Sequence, residues 1–456
     1  MEPIFPLVRV VVLNFDGGQM TFDCLDSLLA TDWPDERLEI VMVDNGSLDD
    51  VVEKMAGDER YQSVRVLEPL ANLGFAGGCN LGMRLPGDHE YVALVNNDAT
   101  VAPGWLKAMV GRAEVDSGIG AVNAKLLFFD RYHTIELDVP DASHLVRGEH
   151  RLLGVRLSGV RLDGERVDDR LAFDEGFHAA EGPVLEDGEE IARWTSPHAG
   201  LRVAAGDERP STISVRLSCL ETRDVTLRSA LRQETHTVGP EPEWIDLAIA
   251  PDAVDVVNNV GSNLFAGGFG GDRGFLEIDA GQFEEPAEVF AWCGGAVLLR
   301  RSYLDDVGLF DERFFLYYED TDLSWRGRLK AWRYVYEPEA VVRHRHAASS
   351  GVGSSMFNYY TERNRLLVLA KNAPARLAWR SGLGEIRRLL AAVVRNYLVR
   401  PLTLRLPVRA EVVHRWRVCT GYLRLLPGML TDRWAAGRSV KRRSVMSWEV
   451  DKWAEN

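Results

Sequence analysis

Apolar runs of strand length alternate with amphipathic segments over the first 130 residues of the chain. Residues 8–13 are almost all apolar and β-branched, which is typical of a strand covered on both faces of a sheet. Residues 21–29 then place apolar side chains at helical spacing. Similar runs recur further along, and the predicted strands are residues 8–13, 38–43, 64–67, 91–95 and 120–126. This alternation predicts a parallel α/β sheet with right-handed crossovers.

The pattern changes near residue 138 and stays different until about residue 252. Short β-type runs are separated there by Gly, Pro and Asp clusters, without a helical period, and they are residues 154–157, 200–203, 212–217, 224–227 and 244–249. Such spacing is typical of a small antiparallel sandwich. The α/β signals then resume in an apolar run, a helix and two short strands, at residues 289–300, 320–332, 333–337 and 340–344. We therefore predict a β-rich domain inserted into the α/β domain.

The last hundred residues are predicted to be helical. One apolar stripe follows the helical period there, and its members are Ile386, Leu389, Leu390, Val393, Val394, Tyr397 and Leu398. In most soluble proteins such a stripe docks on a neighbouring domain, whereas the surrounding arginines favour a membrane surface. The sequence leaves both roles open. The predicted boundaries are the two halves of the α/β domain around the insert, followed by the helical extension, at residues 1–137, 138–252, 253–372 and 373–456.

Composition and charge narrow the class of protein. A chain of 456 residues, 46% hydrophobic and 27% charged, should form two or three globular domains. Its net charge of −15 argues against nucleic acid as a partner. From residue 363 to residue 443, however, 19 Lys or Arg stand against three acids, so this tail could bind anionic lipid. The five cysteines lack metal-like spacing, and there is neither a signal peptide nor a membrane-length apolar run. We expect a cytoplasmic protein, at most peripheral at the inner face of the plasma membrane.

Polar residues follow several predicted strands directly. Asp44 comes after residues 38–43, the triplet Asn96-Asn97-Asp98 comes after residues 91–95, and His344 ends the last short strand. Parallel strands bring their carboxyl ends to one edge of a sheet, where α/β proteins place their chemistry. A simpler interpretation exists in each case, because Asx-rich turns commonly follow strands and a lone histidine is usually structural.

Two further segments are more specific. Residues 72–80 hold a cluster of glycines, which allow backbone N–H groups to approach a ligand closely. Glu319, Asp320 and Asp322 follow a run of aromatic and apolar residues and begin a predicted helix. The helix macrodipole would favour acids at that position without any catalytic role. A partly buried carboxylate there could also act as a general base.

In this order the segments resemble an inverting nucleotide-sugar glycosyltransferase of family 2, which has the GT-A fold. The similarity is greatest to actinobacterial rhamnosyltransferase-like members, which share Asn-Asn-Asp, Tyr-Tyr-Glu-Asp and a downstream Glu-Arg-Asn-Arg, here residues 362–365. It extends over roughly residues 8–130 and 255–372. The resemblance implies metal-assisted transfer of a sugar, rhamnose by analogy, from a dTDP- or UDP-sugar. The implied acceptor is a glycan or lipid-linked molecule of the cell envelope, or a polysaccharide.

The resemblance also implies roles for individual residues. Asp320 corresponds to the general base, and Asp98 and His344 correspond to ligands of a divalent cation, Mg²⁺ or Mn²⁺. The implied donor-binding residues are Asn14, Asp44, Asn72, Gly74, Asn80, Asn96 and Asn97. The implied acceptor-binding residues are Trp292, Gly294, Gly295, Glu319 and Asp322. Trp292 could equally be a core aromatic residue.

One residue departs from the family pattern. The metal motif of the family begins with an Asp where this chain has Asn96, so His344 could supply the missing ligand, with His346 as the alternative. Two other classes therefore stay open, a sugar nucleotidyltransferase and a non-catalytic glycan-binding protein. The first is disfavoured because no Lys or Arg follows the first strand in residues 14–18. The inserted domain could bind carbohydrate or act as a spacer or dimer contact, and the sequence does not decide whether the chain forms a homo-oligomer.

Overall fold

The computed structural model describes residues 5–140, 142, 152–173, 176–178, 192–206, 208–345, 354–402, 406, 408–437 and 442–450. Contacts divide the chain into two compact units. The first contains the chain up to Phe129, then Val257–Phe275, then the part from Ala280 onward. The second contains Asp130–Val256 and Leu276–Asp279. A β-rich unit is thus inserted into an α/β unit, as the hydrophobic pattern predicts.

The amino-terminal part of the first unit alternates strands and helices. Its strands are β1 (Val8–Asn14), β2 (Leu38–Asp44), β3 (Arg65–Leu67), β4 (Tyr91–Asn96), β5 (Ala99–Val101) and β6 (Ile119–Phe128). Its helices are α1 (Gln19–Leu29), α2 (Val51–Ala56), α3 (Gly74–Met83) and α4 (Trp105–Glu114). The predicted strands are confirmed here with small differences at their ends.

Helix α3 differs from the glycine-rich loop that the sequence predicts. Its glycines allow the helix to pack directly on the sheet. A Cβ atom at Gly78 would lie 2.2 Å from Leu13 Cδ1, and one at Gly82 would lie 2.6 Å from Val11 Cγ1. The glycines that suggested a ligand-binding loop therefore serve, in part, close packing of a helix on a strand.

The second unit consists of short strands. They are β7 (Tyr132–Asp138), β8 (Arg156–Leu162), β9 (Glu165–Arg166), β10 (Leu171–Phe173), β11 (Arg193–Trp194), β12 (His198–Ala204), β13 (Thr212–Ser218), β14 (Arg223–Arg228), β15 (Gln233–Val238) and β16 (Glu243–Ala248). Within the described residues they form two antiparallel sheets, β10-β12-β7-β14-β15 and β11-β8-β13-β16 with β9 beside β8. One apolar cluster draws on strands of both sheets, which is the arrangement of a sandwich. The pattern does not predict β15, because its residues are mostly polar.

The chain then returns to the first unit. Its remaining strands are β17 (Val257–Asn259), β18 (Ser262–Phe265), β19 (Phe269–Asp272), β20 (Ala287–Glu288), β21 (Ala296–Arg300), β22 (Arg333–His344) and β23 (Glu449–Val450). Its remaining helices are α5 (Arg301–Val307), α6 (Glu319–Leu329), α7 (Ser355–Asn372), α8 (Ala375–Val394), α9 (Arg400–Leu402) and α10 (Arg409–Ala435). A π-helical turn, Arg395–Val399, joins α8 to α9. Strand β22 replaces the two short strands predicted at 333–337 and 340–344, with a register shift between them.

The topology of the main sheet determines where functional side chains can meet. Among the described residues its order is β20-β22-β6-β21-β4-β1-β2-β3. β1 pairs in parallel with β2 and β4, β22 pairs in parallel with β6, and β21 runs antiparallel between β4 and β6. The carboxyl ends of β1, β2, β4, β6 and β22 therefore lie at one edge, together with the amino end of β21.

Helices α7, α8 and α10 pack on one another after the last sheet strand of the α/β region. Buried apolar residues of α7 and α10 share a cluster with Phe314 and Trp325, so this part of the extension is built onto α6. Over the described residues, no helix combines the length and apolarity needed to cross a bilayer. The predicted fold class, an α/β domain with a β-rich insert and a helical extension, is confirmed.

Candidate active site

The first group of polar side chains lies at the ends of β1 and β2. Asn14 and Asp44 are register partners, and Asn14 Nδ2 donates to Asp44 Oδ1 at 2.9 Å. Asn14 Oδ1 accepts from Thr21 Oγ1 at 2.6 Å and from Asn97 Nδ2 at 3.1 Å. All four residues are buried. This network fixes the carboxylate of Asp44 in one orientation at the carboxyl edge.

A second group holds the segment that precedes α3. Asn45 Nδ2 donates to Asn72 Oδ1 at 3.0 Å, and Asn45 Oδ1 accepts from the N–H of Leu73 at 2.9 Å. Asn72 Oδ1 also accepts from the N–H of Gly74 at 2.7 Å. The exposed Asn72 and the start of α3 are thereby tied to the end of β2. The segment that contains Asn72 and Gly74 is thus connected to the end of β2, where Asp44 lies.

The third group lies at the ends of β4 and β22. His344 Nε2 lies 3.1 Å from Asp98 Oδ1 and 3.2 Å from Asn96 Nδ2. His344 Nδ1 lies 2.9 Å from Asn258 Oδ1. Because an amide oxygen can only accept, the Nδ1 atom of His344 carries a proton, and its Nε2 atom is the one that faces Asp98. His346, the alternative ligand, lies outside the described residues.

These residues fit a divalent cation whose coordination is completed by other ligands. An imidazole nitrogen 3.1 Å from a carboxylate oxygen can share a proton with it, or both atoms can bind one cation. A metal-binding histidine commonly donates its other ring N–H to an oxygen, as His344 does to Asn258. In the described part of the chain no three His, Cys, Asp or Glu are grouped to hold a metal. Amide, water or phosphate oxygens would therefore complete the shell, as is usual for Mg²⁺.

Gly294 and Gly295 lie between this histidine and the acidic residues of α6. A Cβ atom at Gly295 would lie 3.6 Å from His344 Cε1, and one at Gly294 would lie 4.0 Å from Asp320 Oδ2. The N–H of Gly294 also donates to Asp320 Oδ2 at 3.3 Å. The carbonyl of Gly295 accepts from the N–H of Asn96 at 3.0 Å. The glycine pair thus connects the predicted metal ligands to the predicted base.

The acids of α6 have unequal surroundings. Asp320 is partly buried and accepts from the N–H of Thr321 at 2.6 Å. Burial raises the pKa of Asp320, although hydrogen bonds from Thr321 and Gly294 act in the opposite direction. Burial, together with the charge of Asp320, raises the pKa of Glu319 well above its ordinary value. Carboxyl groups with raised pKa values are candidates for proton transfer, and Asp320 is the more exposed of the two.

The backbone before α6 adopts an uncommon conformation. Phe315, Tyr317 and Tyr318 have φ values of 69°, 65° and 69°, a region that non-glycine residues avoid. The side-chain amide of Asn364 on α7 lies 3.0, 2.8 and 2.7 Å from the carbonyl oxygens of Phe314, Leu316 and Tyr317. Asn364 therefore holds the turn that positions Asp320.

The same turn touches the segment near Asp44. The carbonyl of Phe315 accepts from the N–H of Ala76 at 3.3 Å. A Cβ atom at Gly74 would lie 2.4 Å from the oxygen of Phe315, and Gly74 has a φ of 70°. A glycine is therefore required where the start of α3 meets the turn before α6.

Three predicted site residues are not brought to this edge. Asn80 is fully buried and bonds the backbone of Phe310 on both sides of its amide. Trp292 is fully buried and packs 6.0 Å, centroid to centroid, from Phe310. Asp322 is fully buried and paired with Lys371 at 2.9 Å. Each side chain is used inside the protein, so none has surface left for a donor or acceptor.

Other residues of the site were not predicted. Asn258 orients His344, Asn45 holds Asn72, and Asn259 Nδ2 donates to Asp272 Oδ1 at 2.6 Å. One signal was available, because residues 256–259 repeat the apolar-apolar-Asn-Asn pattern of residues 94–97. Asn45 lies in the turn after Asp44, but nothing there predicts its contact with Asn72, and nothing in the local sequence marks Asp272.

Comparison with known proteins identifies the amino-terminal part. Residues 10–135 match the family model described as glycosyl transferase family 2. Two relatives, the N-acetylglucosaminyl-diphospho-decaprenol L-rhamnosyltransferases of Mycobacterium tuberculosis strains CDC 1551 / Oshkosh and ATCC 25618 / H37Rv, are each 48% identical to the chain over 69 residues. The aligned part is 15% of this chain and 22% of the length of each relative.

Solved structures align over most of the chain at low identity. GalNAc-T7 with UDP, GalNAc and Mn²⁺ is 11% identical, with a TM-score of 0.44 over 96% of this chain and 59% of that chain. The mannosyltransferase PcManGT from Pyrobaculum calidifontis, with GDP-Man and Mn²⁺, is 14% identical, with a TM-score of 0.40 over 94% and 88%. TarS 1-349 of S. aureus with UDP-GlcNAc is 13% identical, with a TM-score of 0.35 over 96% and 92%. Likenesses this weak carry no argument about function.

The family match begins in β1 and includes β2 and β4, whose carboxyl ends carry Asn14, Asp44 and the Asn96–Asp98 triplet. Sequence and geometry therefore agree on the same edge of the same sheet. Residues 10–135 match glycosyl transferase family 2, and the chain resembles rhamnosyltransferases over 69 residues, as its motifs predict.

Proposed function

We propose that this protein is an inverting glycosyltransferase that moves a sugar from a nucleotide-diphosphate sugar to a cell-envelope or polysaccharide acceptor. One observation carries the proposal. A single sheet edge holds Asp44, the Asp98–His344 pair and Asp320, with Gly294-Gly295 between the last two. The donor nucleotide, its diphosphate and the acceptor hydroxyl each need a partner in the protein. Asp44, the Asp98–His344 pair and Asp320 would serve them in that order.

The nucleotide end of the donor belongs with Asp44. Its Oδ1 atom accepts a hydrogen bond from Asn14. No described residue donates to its Oδ2 atom, which could accept a hydrogen bond from the nucleobase or the ribose. Asn72 is exposed beside it and is held by Asn45. The pre-set orientation of Asp44 lowers the entropy lost when the nucleotide binds.

The diphosphate belongs with Asp98 and His344. A divalent cation bound there would neutralise the charge that develops on the diphosphate as the glycosidic bond breaks. Asp98 and His344 are nearly buried, at 6% exposure each, so the site is shielded from bulk water. Asn258 keeps the Nε2 atom of His344 directed toward Asp98.

Asp320 is the proposed general base. It takes the proton from the acceptor hydroxyl, whose oxygen forms a new bond to the anomeric carbon. The bond from that carbon to the diphosphate breaks on the opposite face, and its electron pair leaves with the diphosphate. This single displacement inverts the configuration. Gly294 supports the step, because its N–H donates to Asp320 Oδ2 and so stabilises the ionised carboxylate that accepts the proton.

The finer identity of the substrates is proposed from the relatives. They are named as L-rhamnosyltransferases that act on a decaprenol-linked diphosphosugar, and the identity over the aligned residues is 48%. On that support we propose rhamnose from dTDP-rhamnose as the donor sugar, with UDP-sugars as the alternative donors, and a lipid-linked glycan as the acceptor.

A screen of donor hydrolysis tests the reaction class. Release of nucleotide diphosphate from dTDP-rhamnose and a panel of UDP-sugars would be measured with Mg²⁺, with Mn²⁺ and with chelator. We expect one donor to be turned over only with metal, and transfer to a glycan acceptor to invert the anomeric centre. Release of pyrophosphate from a nucleoside triphosphate and a sugar phosphate would instead identify a nucleotidyltransferase.

Asp320→Asn tests the base. The amide keeps the shape but cannot accept the proton, so we expect a loss of at least about 10²-fold in kcat, the usual scale for general base catalysis, with little change in nucleotide binding. Asp305→Asn, at an exposed carboxylate on α5, is the matched control and should keep full activity. Transfer by Asp320→Asn at the wild-type rate would overturn the assignment.

Asp98→Ala and His344→Ala test the cation. Calorimetry of nucleotide diphosphate binding, with Mn²⁺ and with chelator, should show that each variant loses the metal-dependent part of the affinity. His198→Ala, at an exposed histidine of the β-rich unit, is the matched control. Normal metal-dependent binding by His344→Ala would mean that its imidazole is structural.

A further inference from the structure

Apart from Leu377 in its first turn, helix α8 buries small and polar residues against the protein. Its buried positions are Gly382, Glu385 and Ala392, and Asn396 continues them into the π-helical turn. Gly382 faces Tyr422 on α10, where a Cβ atom would lie 3.0 Å from Tyr422 Oη. The apolar stripe predicted from the sequence therefore does not dock on the catalytic unit, which is the reverse of the usual arrangement.

The apolar residues of this extension face outward instead. Trp379 is 70% exposed and Leu390 is 59% exposed. The other exposed apolar residues of α8 and the turn are Leu383, Ile386, Val393, Val394, Tyr397, Leu398 and Val399, and those of α10 are Val413, Trp416, Leu423, Leu430 and Trp434. Such a large number of exposed apolar side chains on neighbouring helices indicates a surface that binds a membrane or another protein.

Arginines border the exposed apolar residues. Arg376, Arg380 and Arg387 follow one line along α8, because their spacing of four and seven residues returns to the same face of a helix. Leu383, Leu390 and Val394 continue that line at the same spacing. Arg376, Arg380 and Arg387 are exposed, as are Arg409 and Arg424 on α10. None of these five arginines makes a hydrogen bond or ion pair with a described residue.

We propose that the exposed face of α8 and α10, here called the basic apolar face, docks on the surface of an anionic lipid bilayer. The apolar side chains would enter the boundary between headgroups and acyl chains, while the arginines remain among the anionic headgroups. The three exposed tryptophans support this occupant, because tryptophan is enriched at the membrane–water interface. The face is defined without reference to catalysis, but its use extends the proposed function, since a lipid-linked acceptor would lie in the same bilayer.

A second copy of the chain is the less favourable occupant. Two such faces meeting directly would bring unpaired arginines against unpaired arginines, and like charges at an interface oppose association. A bilayer with anionic lipids supplies opposite charge and apolar volume together. The choice between these occupants is therefore made by charge.

Vesicle co-sedimentation tests the proposal with the whole chain and without donor. We expect the protein to bind vesicles of phosphatidylcholine and phosphatidylglycerol at low salt, to bind pure phosphatidylcholine less, and to be released partly at high salt. No binding to anionic vesicles at low salt would overturn the proposal. If donor hydrolysis survived in that case, only the docking surface would be wrong. Vesicle binding by a protein that hydrolyses no nucleotide sugar would support the docking surface and contradict the proposed reaction.

Charge variants separate the arginines from general basicity. Arg376→Gln, Arg380→Gln and Arg387→Gln together should weaken partitioning about 10²-fold, since each basic residue near an anionic surface contributes about five-fold. The control removes three exposed positive charges outside α8 and α10, by Arg37→Gln, Arg65→Gln and Lys107→Gln. Equal losses in the two sets would show non-specific attraction and overturn the assignment to α8.

Apolar variants complete the test. Leu390→Gln with Val394→Gln should reduce the binding that remains at high salt, whereas Val115→Gln with Leu231→Gln, at exposed positions elsewhere, should not. Thermal unfolding would confirm that all variants fold. Light scattering would be measured in parallel. Dimers that these variants dissociate, with no vesicle binding, would assign the face to self-association and overturn the membrane proposal.

Discussion

Helices α6 and α8 both depart from the rule that charges face water and apolar residues face the core, but in opposite directions. Glu319, Asp322 and much of Arg326 on α6 are buried. Leu390 and its neighbours on α8 are exposed, while Glu385 of the same helix is 2% exposed. A buried charge needs polar partners, and an exposed apolar surface needs apolar cover. The two helices differ in whether the described residues supply these partners.

On α6 most of the balance comes from the protein. Asp322 accepts from Lys371 Nζ at 2.9 Å, from Arg326 Nε at 2.8 Å and from Asn372 Nδ2 at 2.8 Å. Burial alone would raise the pKa of Asp322, but the charges of Lys371 and Arg326 lower it. Glu319 differs, because its Oε2 atom finds no partner among the described residues. The helix is thus fixed firmly at Asp322 and left uncompensated beside Asp320.

On α8 the polar side is balanced and the apolar side is not. Glu385 pairs with Arg388 at 2.9 Å and with Arg415 at 3.2 Å. Asn396 Nδ2 donates to Glu411 Oε2 at 3.1 Å. The described residues provide no cover for the stripe that includes Leu390 and Val394. A buried charge that has partners in the protein, such as Asp322, therefore stabilises the fold. A buried carboxyl group without a partner, or an exposed apolar stripe, indicates a place where a substrate or another surface can bind.

The largest expected effect concerns the compensated charge on α6. Lys371→Met would remove a buried cation and leave Asp322 and Asp311 with less positive charge. Breaking a buried ion pair on one side destabilises proteins by about 3–5 kcal/mol, so we expect at least about 3 kcal/mol in the free energy of unfolding. Denaturant unfolding would measure it. Lys54→Met, which removes an exposed i,i+4 pair with Asp50, should change stability by less than about 1 kcal/mol. Equal effects would mean that burial of the pair is unimportant.

The next effect concerns the turn that leads into α6. Asn364→Ala would leave the carbonyls of Leu316 and Tyr317 without their side-chain donor, which we expect to destabilise the protein by about 1–3 kcal/mol. Because the turn positions Asp320, kcat should fall while nucleotide binding stays nearly unchanged. Asn358→Ala, at an exposed position on the same helix, is the control. A rise in KM for the donor without loss of kcat would contradict the positioning role.

The sequence predicts these features unevenly. Asp44 and the Asn96–Asp98 triplet can be found because a buried strand is a strong local pattern and its end is visible. Which acid of α6 is buried is not visible in the sequence, since Lys371, the partner of Asp322, lies far away in the chain. The apolar stripe of α8 is equally plain in the sequence. Its outward direction follows from the burial of Gly382, Glu385 and Ala392 on the other side of the helix, which only the folded chain reveals.

A smaller effect concerns the uncompensated charge on α6. A carboxyl group whose pKa is raised on folding stabilises the protein below its unfolded pKa, and this stability is lost as the pH rises through the folded pKa. Glu319→Gln removes that titration while keeping the shape. The variant should therefore be more stable than the wild type at neutral and alkaline pH, with a difference that shrinks on acidification.

Activity of the same variant separates Glu319 from Asp320. The rate should fall far less than the roughly 10²-fold expected for Asp320→Asn, because a neutral Glu319 cannot take the proton from the acceptor. In the wild type the acidic limb of the pH–rate profile should lie above the ordinary range of an aspartate, since Asp320 must be ionised and its pKa is raised. Thermal unfolding and rates would be recorded over the same pH range. An unchanged pH dependence of stability in Glu319→Gln would mean that this group does not titrate differently on folding.

The smallest expected effect concerns the apolar face of α8. Leu390 is exposed and contributes little to folding, so Leu390→Gln should change the free energy of unfolding by no more than about 0.5 kcal/mol. Two residues later, Ala392 is fully buried, and Ala392→Leu should destabilise by about 1–3 kcal/mol because the added atoms have no space. If the apolar stripe only stabilised the fold, Leu390→Gln would destabilise the protein more than Ala392→Leu. Denaturant unfolding of this pair in the absence of lipid therefore decides which face of α8 holds the fold together and which face is available to a bilayer.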